Sequence, residues 1–380
     1  MTSSMRCGLV LVLLSLLAAA QTNSGADTWR FAVSGDSRNC GNVVMPAIAD
    51  GVIRDQASFY WHLGDLRAIF EVDEDMQRAA EIRKSPYNIV SYEGAAWDDF
   101  IQNQIGPFKQ VPFFLGIGNH ELIPPKNREQ FIQQFGDWLN APALRDQRLA
   151  DDRTDHRLRT YYHWMQGGID FINLDNASSD QFDGNQLAWF RRVIDRDAAN
   201  SAVKTVVVGM HKALPFSISC DHSMNESGEG ERSGVNVYQR LLDLENQSHK
   251  NVYVLASHSH FFMDGIFNTR YWHDHGGVLP GLIVGTAGAQ HYRRPANYTD
   301  ARESAELAYG YVLATVHPDG TIDFQFKEVK QEDIPMEVRE HYGKDWIARG
   351  CFKDNQRDDI PVEKDYCAAV AQPVGGPPAH

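Results

Sequence analysis

Five short apolar runs in this chain each hand over, at their C-terminal ends, to Asp, Asn or His. Trp29–Ser34 is followed by Gly35 and Asp36, and residues 59–64 by Asp65. Residues 112–118 lead into Asn119, His120 and Glu121, residues 206–210 into His211, and residues 252–257 into His258, Ser259 and His260. Runs this short, β-branched or aromatic and punctuated by Gly, read as buried strands. A single Gly-Asp after a strand is ordinarily a turn, and a single His is ordinarily a satisfied structural group. Five in step with five strands are a site, because open α/β sheets gather ligands at the carboxyl ends of their strands. Hard oxygen and imidazole donors with no thiolate suit Zn²⁺, Mn²⁺ or Fe better than a cysteine-rich structural zinc.

Further strands are expected at residues 169–174, 278–284, 311–316 and 321–328, the last two joined by Pro318-Asp319-Gly320, a good hairpin turn. Amphipathic segments at 43–54, 94–105, 128–135, 186–197 and 237–245 fall between strands as helices. This alternation predicts one α/β domain over residues 21–330, with two sheets face to face and helices outside. The charged stretches 68–91 and 143–159 read as solvated surface helices or loops. Residues 331–380 form a C-terminal extension richer in charge, whose last nine residues read as disordered. There is no internal repeat.

With 36 Lys+Arg against 50 Asp+Glu, the net charge of −14 opposes a nucleic-acid-binding surface, which needs a basic face to displace counterions. A small phosphorylated substrate held by metal ions is compatible with it. Residues 9–17 are almost wholly aliphatic, follow Arg6 and precede Ala18-Ala19-Ala20. They read as the core of a secretory signal peptide, residues 1–20, cut before Gln21. The processed chain is expected to be exported, periplasmic or secreted, and free of the membrane. Cys7 precedes the apolar run, which leaves Cys40, Cys220, Cys351 and Cys367. An even number in an exported chain without a CxxC points to disulfides. Of the possible pairings, Cys351–Cys367 closing the tail and Cys40–Cys220 tying two loops are the expectation, although spacing alone does not settle it. Asn176, Asn225, Asn246 and Asn297 begin glycosylation sequons.

The order GD, GD, GNHE, H, HxH resembles the calcineurin-like metallophosphoesterase family, which includes purple acid phosphatases and cyclic-nucleotide phosphodiesterases. Leu174-Asp175 and residues 186–190 resemble its middle section, so the likeness runs over roughly residues 29–328. It implies a four-layer α/β/β/α sandwich of two mixed sheets with a dinuclear metal site at the strand ends. Carried over, one metal takes Asp65, Asn119, His211 and His258, and the other takes Asp36, the shared Asp65 and His260. His120 becomes the general acid for the leaving oxygen, oriented by Glu121, and a hydroxide held between the ions becomes the nucleophile.

One position departs from the family. Its first motif carries Asp-x-His, whereas the third position here is Arg38, which cannot ligate a metal. Purple acid phosphatases instead place a Tyr three residues after the bridging Asp, where this chain has Ala68. The first metal therefore has three protein ligands, to be completed by water, by Asn39 or Asn42, or left weakly occupied. Arg38 either holds a phosphate oxygen, partly replacing the missing charge, or pairs with Asp36 or another carboxylate. His62 reads as a packed histidine. His222 reads as a surface-loop residue that reaches the site only if the Cys40–Cys220 bridge draws its loop inward. The late loops 272–275 and 288–294 either line the cleft, with Arg293 and Arg294 meeting a phosphate, or are solvated.

The expectation is an exported hydrolase of phosphoric esters, acid-phosphatase-like and preferring monoesters. The alternatives are a phosphodiesterase acting on nucleotides or lipid head groups, and a metal- or phosphate-binding protein without catalysis. The oligomeric state is left open.

Overall fold

The protein is described by a computed structural model covering residues 28–178, 182–356 and 367. The expected signal peptide and the tail 372–380 lie outside the described residues. None of the described helices is long and apolar enough to cross a membrane.

Two mixed sheets form the centre. The first contains β1 (Trp29–Ser34), β2 (Tyr60–His62), β3 (Phe113–Leu115), β11 (Tyr309–Val316) and β12 (Ile322–Val329), in the order β12-β11-β1-β2-β3. The second contains β4 (Tyr162–Gln166), β5 (Ile169–Asn173), β6 (Thr205–Gly209), β7 (Asn251–Ala256), β8 (Phe262–Asp264), β9 (Gly281–Val284) and β10 (Glu303–Ala305), in the order β10-β8-β9-β7-β6-β5-β4. The strands that end in Asp36, Asp65 and Asn119 run parallel in the first sheet, and those that end in His211 and His258 run parallel in the second. All five ends therefore open on the same side of the sandwich.

Strand alternation divides the side chains between layers. Val207, Leu255, Leu282 and Val284 face the first sheet, while Val206, Val208, Val254 and Ile283 face outward. There they pack with Val193 and Ile194 of the helix Gly184–Ala199 and with Val237 and Leu241 of the helix Gly228–Ser248. On β2, Trp61 reaches Trp164 of the opposite sheet at 5.1 Å, and Tyr60 turns the other way to Met45 of the helix Gly41–Arg54. The inter-sheet layer is aromatic: Phe114 stacks on Trp164 at 4.1 Å, Phe31 meets Phe171 edge-on at 5.2 Å, and Phe262 stacks on Phe326 at 4.6 Å.

Every strand expected from the sequence is present. β4, β8 and β10 were not anticipated, because strands of three residues or sheet-edge strands carry too little periodicity. β4 returns into β5 through Gly167 and Gly168, both at positive φ. The helix Gly228–Ser248 starts nine residues before the expected 237. Its apolar stripe begins late, but Ser227 caps it by accepting from Gly230 N at 3.0 Å.

Two expectations are corrected. Segment 68–91 is not simply solvated: Asp73 and Asp75 are fully buried with Arg67. Arg67 donates to Asp75 at 2.9 Å and to Asp99 at 2.8 Å, with Asp73 at 3.6 Å. The disulfides are Cys40–Cys351 and Cys220–Cys367, not Cys351–Cys367 and Cys40–Cys220. The extension does not close on itself. Ile334, Tyr342 and Ile347 are buried in the main core, which brings Cys351 to the loop after β1.

Candidate metal centre

The ends of β1, β2 and β7 turn sharply, and the residues there hold left-handed backbone: Asp36 has φ 59°, Asp65 φ 58° and His258 φ 68°. Such conformations cost energy in non-glycine residues and persist where the surroundings enforce them. Gly118 is one reason they fit, since a Cβ there would collide with the Asp65 carboxylate.

Four acceptor atoms meet at the first cluster. His211 Nδ1 faces the Leu63 carbonyl at 3.0 Å, which in the neutral ring places the proton there and leaves Nε2 bare. That Nε2 lies 3.0 Å from Asn119 Oδ1, 3.0 Å from His258 Nδ1 and 3.3 Å from Asp65 Oδ1. The other His258 nitrogen, Nε2, faces Glu226 at 3.8 Å. Lone pairs crowded together without a proton between them are what a cation satisfies. Burial opposes charge on His211, yet Asp65, Asp36 and Glu121 push its pKa up to about 9, so the cluster is a pocket of negative potential in which a proton on Nε2 and a metal ion would compete for the same lone pair. These donors fit a metal ion.

The second cluster is Asp36, Asp65 and His260, whose ligand atoms lie within 4.8 Å of one another. His260 Nε2 is 3.3 Å from Asp36 Oδ1. Asp36 Oδ1 and Asp65 Oδ2 are buried without a hydrogen-bond partner, and Asp36 Oδ2 accepts from His258 N at 2.7 Å. Arg38 enters this cluster: its Nη2 is 3.3 Å from His260 Nε2 and its Nε is 4.0 Å from Asp65 Oδ2. Burial opposes the Arg38 charge, but Tyr292, Asp65 and Asp36 raise its pKa further, so it stays a guanidinium.

His120 lies beside the shared carboxylate. Its Nδ1 donates to the Ala68 carbonyl at 2.6 Å, its backbone N–H donates to Asp65 Oδ1 at 3.0 Å, and its Nε2 is 3.6 Å from Asp65 Oδ2. Burial lowers its pKa, partly opposed by Asp65. Glu121 does not orient it. The Glu121 carboxylate accepts from the backbone N–H groups of Gly118, Asp65 and Leu66 at 2.8–2.9 Å and so fixes the Asp65 turn.

Asn39 and Asn42 do not complete either cluster. Asn39 donates to Glu74 and accepts from Gln290 N, and Asn42 is spent on Asp99, Arg67 and Gln104. His62 is buried and bonded to Ser37 Oγ at 3.0 Å, and burial holds its pKa down to about 3. His222 does reach the edge of the site, its ring 5.7 Å from His258 and 5.1 Å from Tyr292, on a loop whose Cys220 bonds Cys367 rather than Cys40. Arg293 pairs with Glu306 at 3.7 Å, and Arg294 pairs with Glu306 and lies over the Tyr298 ring. The residue of that loop that enters the site is Tyr292, which stacks on His260 at 3.9 Å and accepts from Arg38 at 3.3 Å. The sequence flagged the loop for its arginines, but nothing in its spacing singled out the tyrosine. Of the other late loop, Trp272 stacks on Tyr238 at 3.4 Å in the outer core, and His273 bonds Asn268. Asp175 and Gln186 bond each other through two contacts of 2.8 Å and are structural.

The profile of the calcineurin-like phosphoesterases matches residues 30–262, well over half of the chain and all the residues of both clusters. The chain belongs to the calcineurin-like phosphoesterase family. Among solved structures, the purple acid phosphatase PPD1 from seeds of yellow lupin (Lupinus luteus) aligns with 80% of this chain at 16% identity and a TM-score of 0.51. The alignment takes in 52% of the lupin chain, so this protein spans about half its length. A structure of PhoD aligns with 80% of this chain and 72% of its own (14% identity, TM-score 0.49). A dimetal phosphatase from Danio rerio aligns with 79% of this chain and 96% of its own (11% identity, TM-score 0.48). The lupin likeness is one of fold. No curated protein matches the chain.

Proposed function

We propose that this member of the family is an exported, metal-dependent hydrolase that prefers phosphoric monoesters. The observation that carries the hydrolase reading is the convergence of Asp65, Asn119, His211 and His258 lone pairs beside His120 Nε2. A metal ion held there supplies Lewis-acid charge and acidifies water. Its donors, imidazole and hard oxygen, suit Mn²⁺, Zn²⁺ or Fe.

The protein's own groups do the rest. Asp65 remains a carboxylate: burial would raise its pKa, but His120, His211 and Arg38 hold it well below the usual range. With Nδ1 committed to Ala68, His120 gives a proton to the departing oxygen as the imidazolium, from Nε2, a charge that Asp65 Oδ2 at 3.6 Å favours against the opposing effect of burial. Arg38 adds a fixed positive charge, which favours a dianionic monoester over a monoanionic diester. A protein that only bound phosphate would have no use for a proton donor at His120. Export is supported by the apolar leader of residues 9–17 and by two disulfides, which persist in oxidising compartments.

The test is hydrolysis of para-nitrophenyl phosphate and bis-para-nitrophenyl phosphate by protein stripped of metal and reloaded with Mn²⁺, Zn²⁺ or Fe. A higher kcat/KM on the monoester is expected. A higher value on the diester would reverse the substrate preference in favour of a phosphodiesterase. Metal binding with no hydrolysis of either ester would leave a binding protein. Cell fractionation and N-terminal sequencing test export, which requires recovery of a chain beginning at Gln21.

A further inference from the structure

The two clusters differ in a way that the family resemblance does not anticipate. Around His211 Nε2 there are only acceptors: Asn119 Oδ1, His258 Nδ1 and Asp65 Oδ1. No side-chain donor of the described residues is directed among them. Around His260 Nε2 the donor is already present. His260 Nδ1 faces the Gln290 carbonyl at 2.6 Å, so the proton sits on Nδ1 and Nε2 is an acceptor. Two groups lie 3.3 Å from this lone pair, the acceptor Asp36 Oδ1 and the donor Arg38 Nη2, and Arg38 is the one that can satisfy it. The same nitrogen donates to Tyr292, whose ring covers His260 at 3.9 Å. Arg38 Nε, buried and without a hydrogen-bond partner, approaches Asp65 Oδ2, the atom that a second ion would share.

We infer that the Arg38 guanidinium takes the place of the second metal ion, so that the chain holds one resident ion, on Asp65, Asn119, His211 and His258. This rests on the reading of the site as a metal-dependent phosphoesterase and deepens it. An ion bound to Asp36, Asp65 and His260 would have to take the His260 lone pair from Arg38. It would also bring a divalent charge against a cation that does not deprotonate. Arg38 has little freedom to withdraw, being 7% exposed and tied to Tyr292. Asp36 and His260 then serve as positioning residues: Asp36 holds the His258 backbone through its 2.7 Å bond, and His260 holds the guanidinium.

The experiment is metal stoichiometry on the full chain, stripped with a chelator and titrated with Mn²⁺. It is read by elemental analysis after desalting and by electron paramagnetic resonance, which distinguishes an isolated Mn²⁺ from a coupled pair. The wild type should saturate at one ion per chain with the spectrum of an isolated ion. Arg38→His, which supplies an imidazole in place of the guanidinium, should saturate at two with a coupled spectrum. Two ions in the wild type, or none, would overturn the inference, and so would a folded Arg38→His variant that still holds one. If Arg38→His does not fold, the wild-type count alone decides. Hydrolysis measured on the same samples separates this from the functional reading. One ion without turnover fails the phosphoesterase reading, whereas two ions with turnover fail only the role given to Arg38.

Discussion

The carbonyl of Ala68 accepts the Nδ1 proton of His120 at 2.6 Å, and this bond turns Nε2 towards the shared carboxylate Asp65. A purple acid phosphatase would carry a metal-binding Tyr side chain at this position, whereas here the backbone sets the tautomer of the proposed acid. His120→Ala should lower kcat on a phosphomonoester with a poor leaving group by roughly 10²–10⁴-fold. The metal content should be unchanged. On para-nitrophenyl phosphate, whose leaving group needs little protonation, the loss should be much smaller. Equal losses on both substrates would remove His120 as the acid.

Removing the resident ion should abolish turnover. Chelation should bring hydrolysis to background, and Mn²⁺ or Zn²⁺ should restore it. His211→Ala should lose both the ion and the activity, because His211 Nε2 is the atom at which Asn119, His258 and Asp65 meet. A variant that keeps a full complement of metal would contradict this assignment.

Arg67 is fully buried and is the cation shared by Asp73, Asp75 and Asp99 beneath the loop that follows Asp65. Replacing it with Met leaves buried carboxylates without a counter-charge, and breaking such a group costs about 3–5 kcal/mol. Urea unfolding of Arg67→Met should show a loss of that size. A change below ~1 kcal/mol, the ordinary size for an exposed ion pair, would mean that the group is not load-carrying.

His163 lies between two carboxylates, with Asp170 at 2.8 Å and Asp151 at 2.6 Å. Burial opposes its charge, but Asp151 and Asp170 prevail and raise its pKa to about 9 from 6.5. A raised folded-state pKa contributes stability that is complete below pH 6.5 and lost as pH rises through 9. The contribution is at most about 3 kcal/mol. The wild type should therefore lose Tm between pH 6.5 and 9 relative to His163→Gln. Parallel pH profiles for the two proteins would argue against a charged His163.

The disulfides are checked by peptide mapping without reduction, which should recover Cys40 linked to Cys351 and Cys220 linked to Cys367. Cys351→Ser should cost about 2–5 kcal/mol, since its bridge closes a loop of 311 residues. A Cys351–Cys367 peptide would contradict the fold of the C-terminal extension.

The strands, the face-to-face sandwich and the identity of the residues at the strand ends were legible in the chain alone. Each is a local property: a short apolar run, a Gly-bounded turn, and the polar residue that follows it. Asp36, Asp65, Asn119, His211, His258 and His260 could be named because the strand periodicity delivers all of them to one edge, whatever the details of packing.

The partners of those residues were not legible, because contacts between residues far apart in sequence depend on how loops are threaded. Glu121 was expected to hold His120 and instead caps three backbone amides, since the turn at Gly118 aims its carboxylate at the Asp65 loop. The cysteine pairing was reversed because burial of Ile334, Tyr342 and Ile347 carries the chain back to the first sheet before Cys351. Arg38 could be seen to lack metal-ligating chemistry from its position in the first motif. That its guanidinium comes to rest on the lone pair of His260, 222 residues away, was decided by the sandwich that brings the ends of β1 and β7 together.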